Sequence, residues 1–153
     1  MPPPLDFTGG DRLMQHLDRI SNAALASGEP EVKVGFLAGS TYPDGTSVPL
    51  VAVVNEFGNP AKGQPPRPYF RTMLKEKAPT WGADMGKVLV AANYNAVTTL
   101  GRMGELIKGQ LVQSIKDLTS PPLAPSTVAR KGFTKPLIDT GVMWNSVDYE
   151  VKS

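Results

Sequence analysis

The residues from Trp81 to Leu118 read WGADMGKVLVAANYNAVTTLGRMGELIKGQLVQSIKDL and carry the longest periodic pattern in the chain. Apolar side chains recur there at every third or fourth position, which places them on one face of a helix: Met85, Val88, Leu89, Ala92, Ala96, Leu100, Met103, Ile107, Leu111, Ile115 and Leu118. The pattern predicts one long helix, on the order of 50 Å if unbroken. A bend is expected near Gly101, because glycine weakens a helix.

Shorter elements are predicted on the amino-terminal side of this helix. Residues Gly10–Ala26 form an amphipathic helix, because the apolar positions Leu13, Leu17, Ile20 and Ala24 follow a helical spacing. Residues Glu31–Ala38 alternate apolar and polar side chains and are predicted to form a strand. After a Pro-Asp-Gly turn, Val48–Val54 fits either a second strand in a hairpin-like unit or the start of a helix.

Two proline-rich stretches divide the rest of the chain. Residues Asn59–Pro68 are predicted to be extended, because a residue before proline avoids helical geometry, and a short helix is predicted at Tyr69–Ala78. The stretch Ser120–Gly132 contains a helix of one or two turns, which Ser126 caps and Gly132 closes. A turn at Gly141–Ser146 precedes a final strand that contains Val147, Tyr149 and Val151.

These elements predict an α+β fold. A small antiparallel or mixed sheet packs with the amino-terminal helix and with one long helix that can bend, and extended proline-rich loops join them. The chain has 153 residues, the size of one domain. We assign residues 1–9, which contain three prolines, to a flexible tail and residues 10–153 to a single domain.

Composition excludes several classes of function. Sixteen basic against fourteen acidic residues give a net charge of +2, too small to imply a nucleic-acid partner by itself. The absence of cysteine excludes disulfides, thiolate metal sites and a cysteine nucleophile. The longest apolar stretch, Val48–Val54, is far shorter than the roughly 20 residues of a membrane helix. We expect a soluble protein that is made in the cytoplasm and does not contact a membrane.

No motif for catalysis stands out. His16 is the only histidine, whereas a zinc site needs three or four suitable ligands. The chain has neither a GxSxG motif nor a phosphate-binding GxxxxGK[ST] loop. The sequence therefore predicts no enzyme, no cofactor and no metal; a hydrolase with an unrecognised site is the weakest alternative.

A basic segment with interleaved aromatic residues spans positions 62–77. It contains Lys62, Arg67, Arg71, Lys75 and Lys77 around Tyr69 and Phe70. One interpretation is a nucleic-acid-binding module, since single strands bind to basic grooves with stacking aromatic rings. The favoured interpretation is a solvated helix face whose aromatic rings lie in the core. A second basic group comprises Arg130, Lys131 and Lys135 around Phe133.

Four blocks of the sequence resemble one family. VAVVNEFGNP at 51–60 and PPRPYFRTML at 65–74 are similar to the signature of tailed-phage tail-completion and neck proteins, also labelled tail component, minor tail protein Z-like or virion morphogenesis protein. PPLAPSTVARKG at 121–132 and KPLIDTGVMWNSVDYEV at 135–151 resemble the end of the family pattern. Tyr69 stands where phenylalanine is usual and Met143 where leucine is usual, and both keep an apolar body. The resemblance covers Val32–Val151.

The resemblance implies a structural subunit of the virion at the head–tail junction. Proteins of this kind form rings, commonly hexameric, that complete the tail and join it to the capsid connector around the DNA channel. The expected partners are copies of the chain and neighbouring neck, connector, tail-terminator or tail-tube proteins. DNA passes through the lumen without sequence-specific binding. The subunit is made in the host bacterial cytoplasm and ends in the virion, and the family brings no catalytic residues.

Seven residues are candidates for subunit contacts, because they lie in or beside the proline-stiffened, charged segments: Glu56, Phe57, Arg67, Tyr69, Arg71, Arg130 and Lys131. Arg67 is expected to project from a stiff Pro65–Pro68 arm and to hold a neighbour's carboxylate with two hydrogen bonds. Phe57 fits equally well as an aromatic contact between subunits or as a core side chain. In Leu137–Gly141, Asp139 or Thr140 is expected to cap the residues that follow.

Overall fold

A computed structural model describes residues 10–26, 28–132 and 141–153. Within these ranges the fold is α+β, as predicted, with helices and a small antiparallel sheet. The elements, in chain order, are α1 (Gly10–Ala26), β1 (Glu31–Phe36), α2 (Val48–Phe57), α3 (Tyr69–Ala91), α4 (Ala96–Asp117), α5 (Pro125–Lys131), α6 (Val142–Asn145) and β2 (Val147–Lys152). A 3-10 turn at Pro60–Lys62 lies between α2 and α3. The tail assigned to residues 1–9 lies outside the described residues.

The sheet joins the two ends of the domain. β1 and β2 are antiparallel, in a register that runs from Glu31 opposite Lys152 to Phe36 opposite Val147. The final strand is thus confirmed. The hairpin-like pairing of the first strand with Val48–Val54 is wrong, because those residues begin α2. Ser47 caps that helix by accepting a hydrogen bond from the Leu50 amide at 3.4 Å, and Pro49 occupies its first turn.

The predicted long helix at 81–118 is wrong, because the chain forms a helical hairpin. α3 and α4 pack against each other, and α4 also packs against both strands. The turn between them places Asn93 and Tyr94 at positive φ values of 52° and 61°. Asn95 then caps α4 by accepting a hydrogen bond from the Thr98 amide at 2.8 Å. Asparagine suits both tasks, since its short polar side chain tolerates left-handed geometry and caps helices well.

α3 also runs further than predicted. The predicted end of the short helix at Ala78 is wrong, because α3 continues through Pro79 to Ala91. A proline inside a helix costs about 3 kcal/mol, so the packing of α3 along α4 outweighs the local preference.

The core lies where α2, α3, α4, α6 and the sheet meet. Its buried side chains are Ala52, Tyr69, Met73, Leu111, Ile115, Met143 and Val147. The Phe36 ring meets the Tyr69 ring edge-to-face, with centroids 6.2 Å apart. α5 ends at Gly132 in left-handed geometry, as predicted, but Ala124 is its N-cap residue and Pro125 its first residue, so Ser126 lies inside the helix.

Gly104 allows α4 to lie directly on the sheet. A Cβ atom there would lie 2.5 Å from Cδ2 of Tyr149 and 3.0 Å from Cγ2 of Val32. We expect Gly104→Ala to lower the free energy of unfolding by about 1–3 kcal/mol, because the added methyl forces the strands away from the helix. Gly109→Ala, on the same helix with open space around it, should instead raise stability by up to about 1 kcal/mol. Urea unfolding of both variants measures the difference, and equal stabilities would contradict the close approach.

α1 has the predicted bounds but is largely exposed. Leu13 and Met14 each keep 58% of their surface exposed and Leu17 keeps 48%. A hydrogen bond of 2.9 Å joins Nε2 of His16 to the Tyr94 hydroxyl, and Nη1 of Arg19 donates to Oδ1 of Asn93 at 3.3 Å. α1 is therefore held at the α3–α4 turn through polar contacts. None of the helices in the described ranges is long and apolar enough to span a bilayer.

Candidate subunit interface

Glu56 joins the end of α2 to the start of α3. Its side chain is buried, with 6% of the side-chain surface exposed. The carboxylate accepts hydrogen bonds from the Phe70 amide at 2.9 Å, the Arg71 amide at 3.2 Å and Nε of Arg71 at 2.7 Å. The N-cap residue of α3 is Pro68, which offers no capping side chain. Glu56 therefore supplies both the missing acceptor and the negative charge that a helix N-terminus favours.

Gly58 lets the proline-rich loop fold back onto the end of α2. Its backbone has φ 77° and ψ 178°, a combination that is essentially restricted to glycine. A Cβ atom at this position would lie 2.7 Å from both the Gln64 carbonyl oxygen and the Pro66 nitrogen. Asn59 and Gln64 then exchange backbone hydrogen bonds of 2.9 and 3.0 Å. The EFG segment at 56–58 and the PPRPYFR segment at 65–71 thus pack against each other. We call residues 56–71 the α2–α3 corner.

Arg67 is part of this corner. Only 6% of its surface is exposed. Its amide donates to the Asn55 carbonyl at 2.7 Å, and its Nε donates to the Pro121 carbonyl at 3.4 Å. Burial lowers the pKa of the guanidinium below its usual value. The expectation of an Arg67 side chain that projects from a free arm is therefore wrong, because the arm is folded against the domain.

Tyr69 is also internal. It is 2% exposed, and its hydroxyl donates to the Ala52 carbonyl at 2.9 Å. Its own carbonyl accepts a hydrogen bond from the Ser114 hydroxyl at 2.6 Å. Burial raises the pKa of the phenol above its usual value. Tyr69 therefore holds α2, α3 and α4 together, and its ring has no free face for a partner or a base.

Phe57 and Arg71 are the exposed members of the corner. Phe57 is 62% exposed, so the alternative that placed it in the core is wrong. The Arg71 guanidinium lies 5.1 Å from the centre of the Phe57 ring, a cation–π distance. Leu50 and Val53 are exposed on the same side of α2. We call the surface formed by Leu50, Val53 and Phe57 the α2 face.

Arg130 lies at a second concave surface. A groove of about 660 Å³ separates the proline-rich loop from residues 122–124 and α5, and Lys62, Arg67 and Arg130 line it together with Asp44. The groove thus brings Lys62 and Arg67 of the first basic segment close to Arg130 of the second. The side chain of Lys131 lies outside the described residues, and so do Phe133 and Lys135. The expected cap at Asp139 or Thr140 also lies outside them.

His16 is the remaining side chain that the sequence analysis singled out. His16 contacts Tyr94, as described above. Within residues 10–26, 28–132 and 141–153, no group of three or more acidic, histidine or cysteine side chains is placed to hold a metal ion.

Comparison with known proteins adds no relative: no family model, curated protein or solved structure matches this chain.

Sequence patterns missed the α2 face, because Val48–Val54 fitted a strand as well as a helix. Ser47 followed by Pro49 was the available signal, since serine at the N-cap and proline in the first turn mark a helix start. On a helix that begins there, Val48, Ala52 and Glu56 point inward. Leu50, Val53 and Phe57 then share the outer side.

Proposed function

We propose that this chain is a structural subunit of a tailed-bacteriophage virion at the head–tail junction. In this proposal copies of it form a ring, commonly a hexamer, that completes the tail and joins it to the capsid connector around the DNA channel. It is made in the host cytoplasm, acts in the virion and has no catalytic role. Two lines of support are the four sequence blocks in family order and the way the first two meet in the structure.

The observation that carries the proposal is that the α2–α3 corner combines buried residues, which fix its shape, with one exposed aromatic side chain. Glu56, Gly58, Arg67 and Tyr69 are buried or tightly packed there and fix the geometry of the corner. Phe57, on the same corner, is exposed and continues an apolar stripe along α2. A rigid support for an exposed aromatic and aliphatic surface is typical of a protein–protein interface.

Removal of the gene from the phage or prophage that carries it tests this proposal. We expect DNA-filled heads and separate tails to accumulate in electron micrographs of the lysate, because the joining subunit is missing. A plasmid copy of the gene should restore joined, infectious particles. Normal numbers of joined particles without the gene would contradict the proposal.

A nucleic-acid-binding module that uses residues 62–77 is the second candidate. Lys62 and Arg130, which line the groove opposite a single described carboxylate, Asp44, favour it, since exposed basic side chains attract phosphates. The burial of Tyr69 counts against the stacking part of that idea. Fluorescence anisotropy with a labelled single-stranded oligonucleotide distinguishes the two: binding that weakens steeply with salt and is lost in Lys62→Glu would favour the module.

A further inference from the structure

Two helices present apolar surfaces that nothing in the described part of the chain covers. One is the α2 face. The other is formed by Leu13, Met14 and Leu17 on α1, which we call the α1 stripe. Each residue of these two surfaces has about half or more of its surface exposed. Exposed apolar patches of this kind mark surfaces that associate.

The two borders of the α1 stripe carry different residues. On a helix with 3.6 residues per turn, His16 and Arg19 fall on one side of the stripe. These two residues contact Tyr94 and Asn93 at the α3–α4 turn. Asp11 and Asp18 fall on the other side and are exposed. The border that is free to meet a partner is therefore acidic.

Arg71 lies at the border of the α2 face, where it forms an ion pair with Glu56. The Arg71 side chain is 55% exposed and lies over the Phe57 ring. Its Nε and Nη2 donate to Glu56. Nη1 has no hydrogen-bond partner among residues 10–26, 28–132 and 141–153. Arg71 thus keeps a free donor beside the apolar surface, which suits a carboxylate from another molecule.

We infer that the α1 stripe of one copy packs on the α2 face of the next copy, with Arg71 facing Asp11 and Asp18 of its neighbour. This inference rests on the proposed function and names the surfaces that build the ring. The two surfaces differ, so the contact is head-to-tail, and repeated head-to-tail contacts close into a ring when the rotation between copies allows it.

Antiparallel pairing of two α1 stripes fits the charges less well. Two α1 helices could pack antiparallel, stripe against stripe, about a two-fold axis. In that arrangement the acidic border of one helix meets the acidic border of the other. Asp11 and Asp18 of both copies would then face one another, and like charges oppose association. Pairing of α1 with α2 brings opposite charges together instead.

Mixing two single variants of the full chain tests the inference. Leu17→Glu destroys the α1 stripe and Phe57→Glu destroys the α2 face, and both positions are exposed, so the fold should persist by circular dichroism. In analytical ultracentrifugation each variant alone should be monomeric, with self-association weakened at least about 30-fold. An equal mixture should form a one-to-one dimer, since it still contains one intact copy of each surface. Leu106→Glu, at an exposed apolar position outside both surfaces, serves as the control that associates like the native chain.

Other outcomes overturn the inference. Dimers of either variant alone would show that identical surfaces pair, and a mixture that stays monomeric would show that the two surfaces do not meet.

If the native chain does not associate in solution, the chain's lack of cysteine allows a second measurement. A chain that carries both Leu17→Cys and Phe57→Cys should give a ladder of disulfide-linked oligomers on oxidation. Chains that carry only one of the two substitutions should not give a ladder.

Absence of the ladder at the highest soluble concentration would reject the contact. The gene-removal experiment is independent of this result. Unjoined heads and tails together with no ladder would leave the proposed function standing and reject only this choice of surfaces.

Discussion

Gly58→Ala is expected to lower the free energy of unfolding by about 3–5 kcal/mol. Two costs add. Alanine is strained at φ 77° and ψ 178°, which costs about 1–3 kcal/mol. Its Cβ would also lie 2.7 Å from backbone atoms of Gln64 and Pro66, and overpacking of this kind costs a further 1–3 kcal/mol or so.

Chemical unfolding, followed by circular dichroism, measures the effect. Gly63→Ala is the matched control, because Gly63 lies in the same loop at φ 63° with open space around it. That substitution should cost only about 1 kcal/mol. Equal losses for the two variants would mean that the loop does not fold tightly against Gly58.

Glu56→Ala is expected to lower the free energy of unfolding by about 3 kcal/mol. The substitution removes the acceptor of two amides at the start of α3, which corresponds to the loss of a helix cap at about 0.5–2 kcal/mol. It also removes the charge-assisted hydrogen bond to Arg71, and such bonds contribute about 1.5–3 kcal/mol before allowance for the exposure of Arg71.

Two further variants make this prediction specific. Glu56→Gln keeps an acceptor of similar shape and should lose less stability than Glu56→Ala. Glu76→Ala removes an exposed carboxylate from the same helix and should change stability by no more than about 0.5 kcal/mol. If Glu56→Ala also falls within that range, Glu56 does not cap α3.

Together these variants separate the architectural residues of the family-like blocks from the exposed ones. In EFG, the glutamate and the glycine hold the corner and the phenylalanine is exposed. In PPRPYFR, Arg67 and Tyr69 are buried. Arg71 binds the buried Glu56, but its own side chain is largely exposed. The sequence places all of these residues in similar charged, proline-flanked surroundings. Only the three-dimensional packing shows which of them remain available to a partner.

Local signals were sufficient for several elements of the fold. The helical spacing of Leu13, Leu17 and Ile20 defined α1 between the observed bounds. The alternation of Val147, Tyr149 and Val151 defined the last strand, and Gly132 correctly marked the end of α5. Each of these signals depends on neighbouring residues alone.

Features that depend on distant contacts were not accessible to the same reasoning. β1 pairs with a strand at the opposite end of the domain, and neither strand contains a signal for its partner. The apolar step of three or four residues continues across 92–95, so the pattern hid the turn at Asn93 and Tyr94. The Asn93-Tyr94-Asn95 run carried that information, since asparagine favours left-handed geometry and N-caps. Periodicity also shows that α1 has an apolar stripe but cannot show that the stripe stays exposed.

An electron cryomicroscopy map of virions from the proposed phage would show directly whether this chain forms the head–tail junction. We expect a closed ring of copies of this chain at that junction, with the α1 stripe of each copy against the α2 face of the next. A map in which the junction is built entirely from other chains, with no density for this fold, would contradict it.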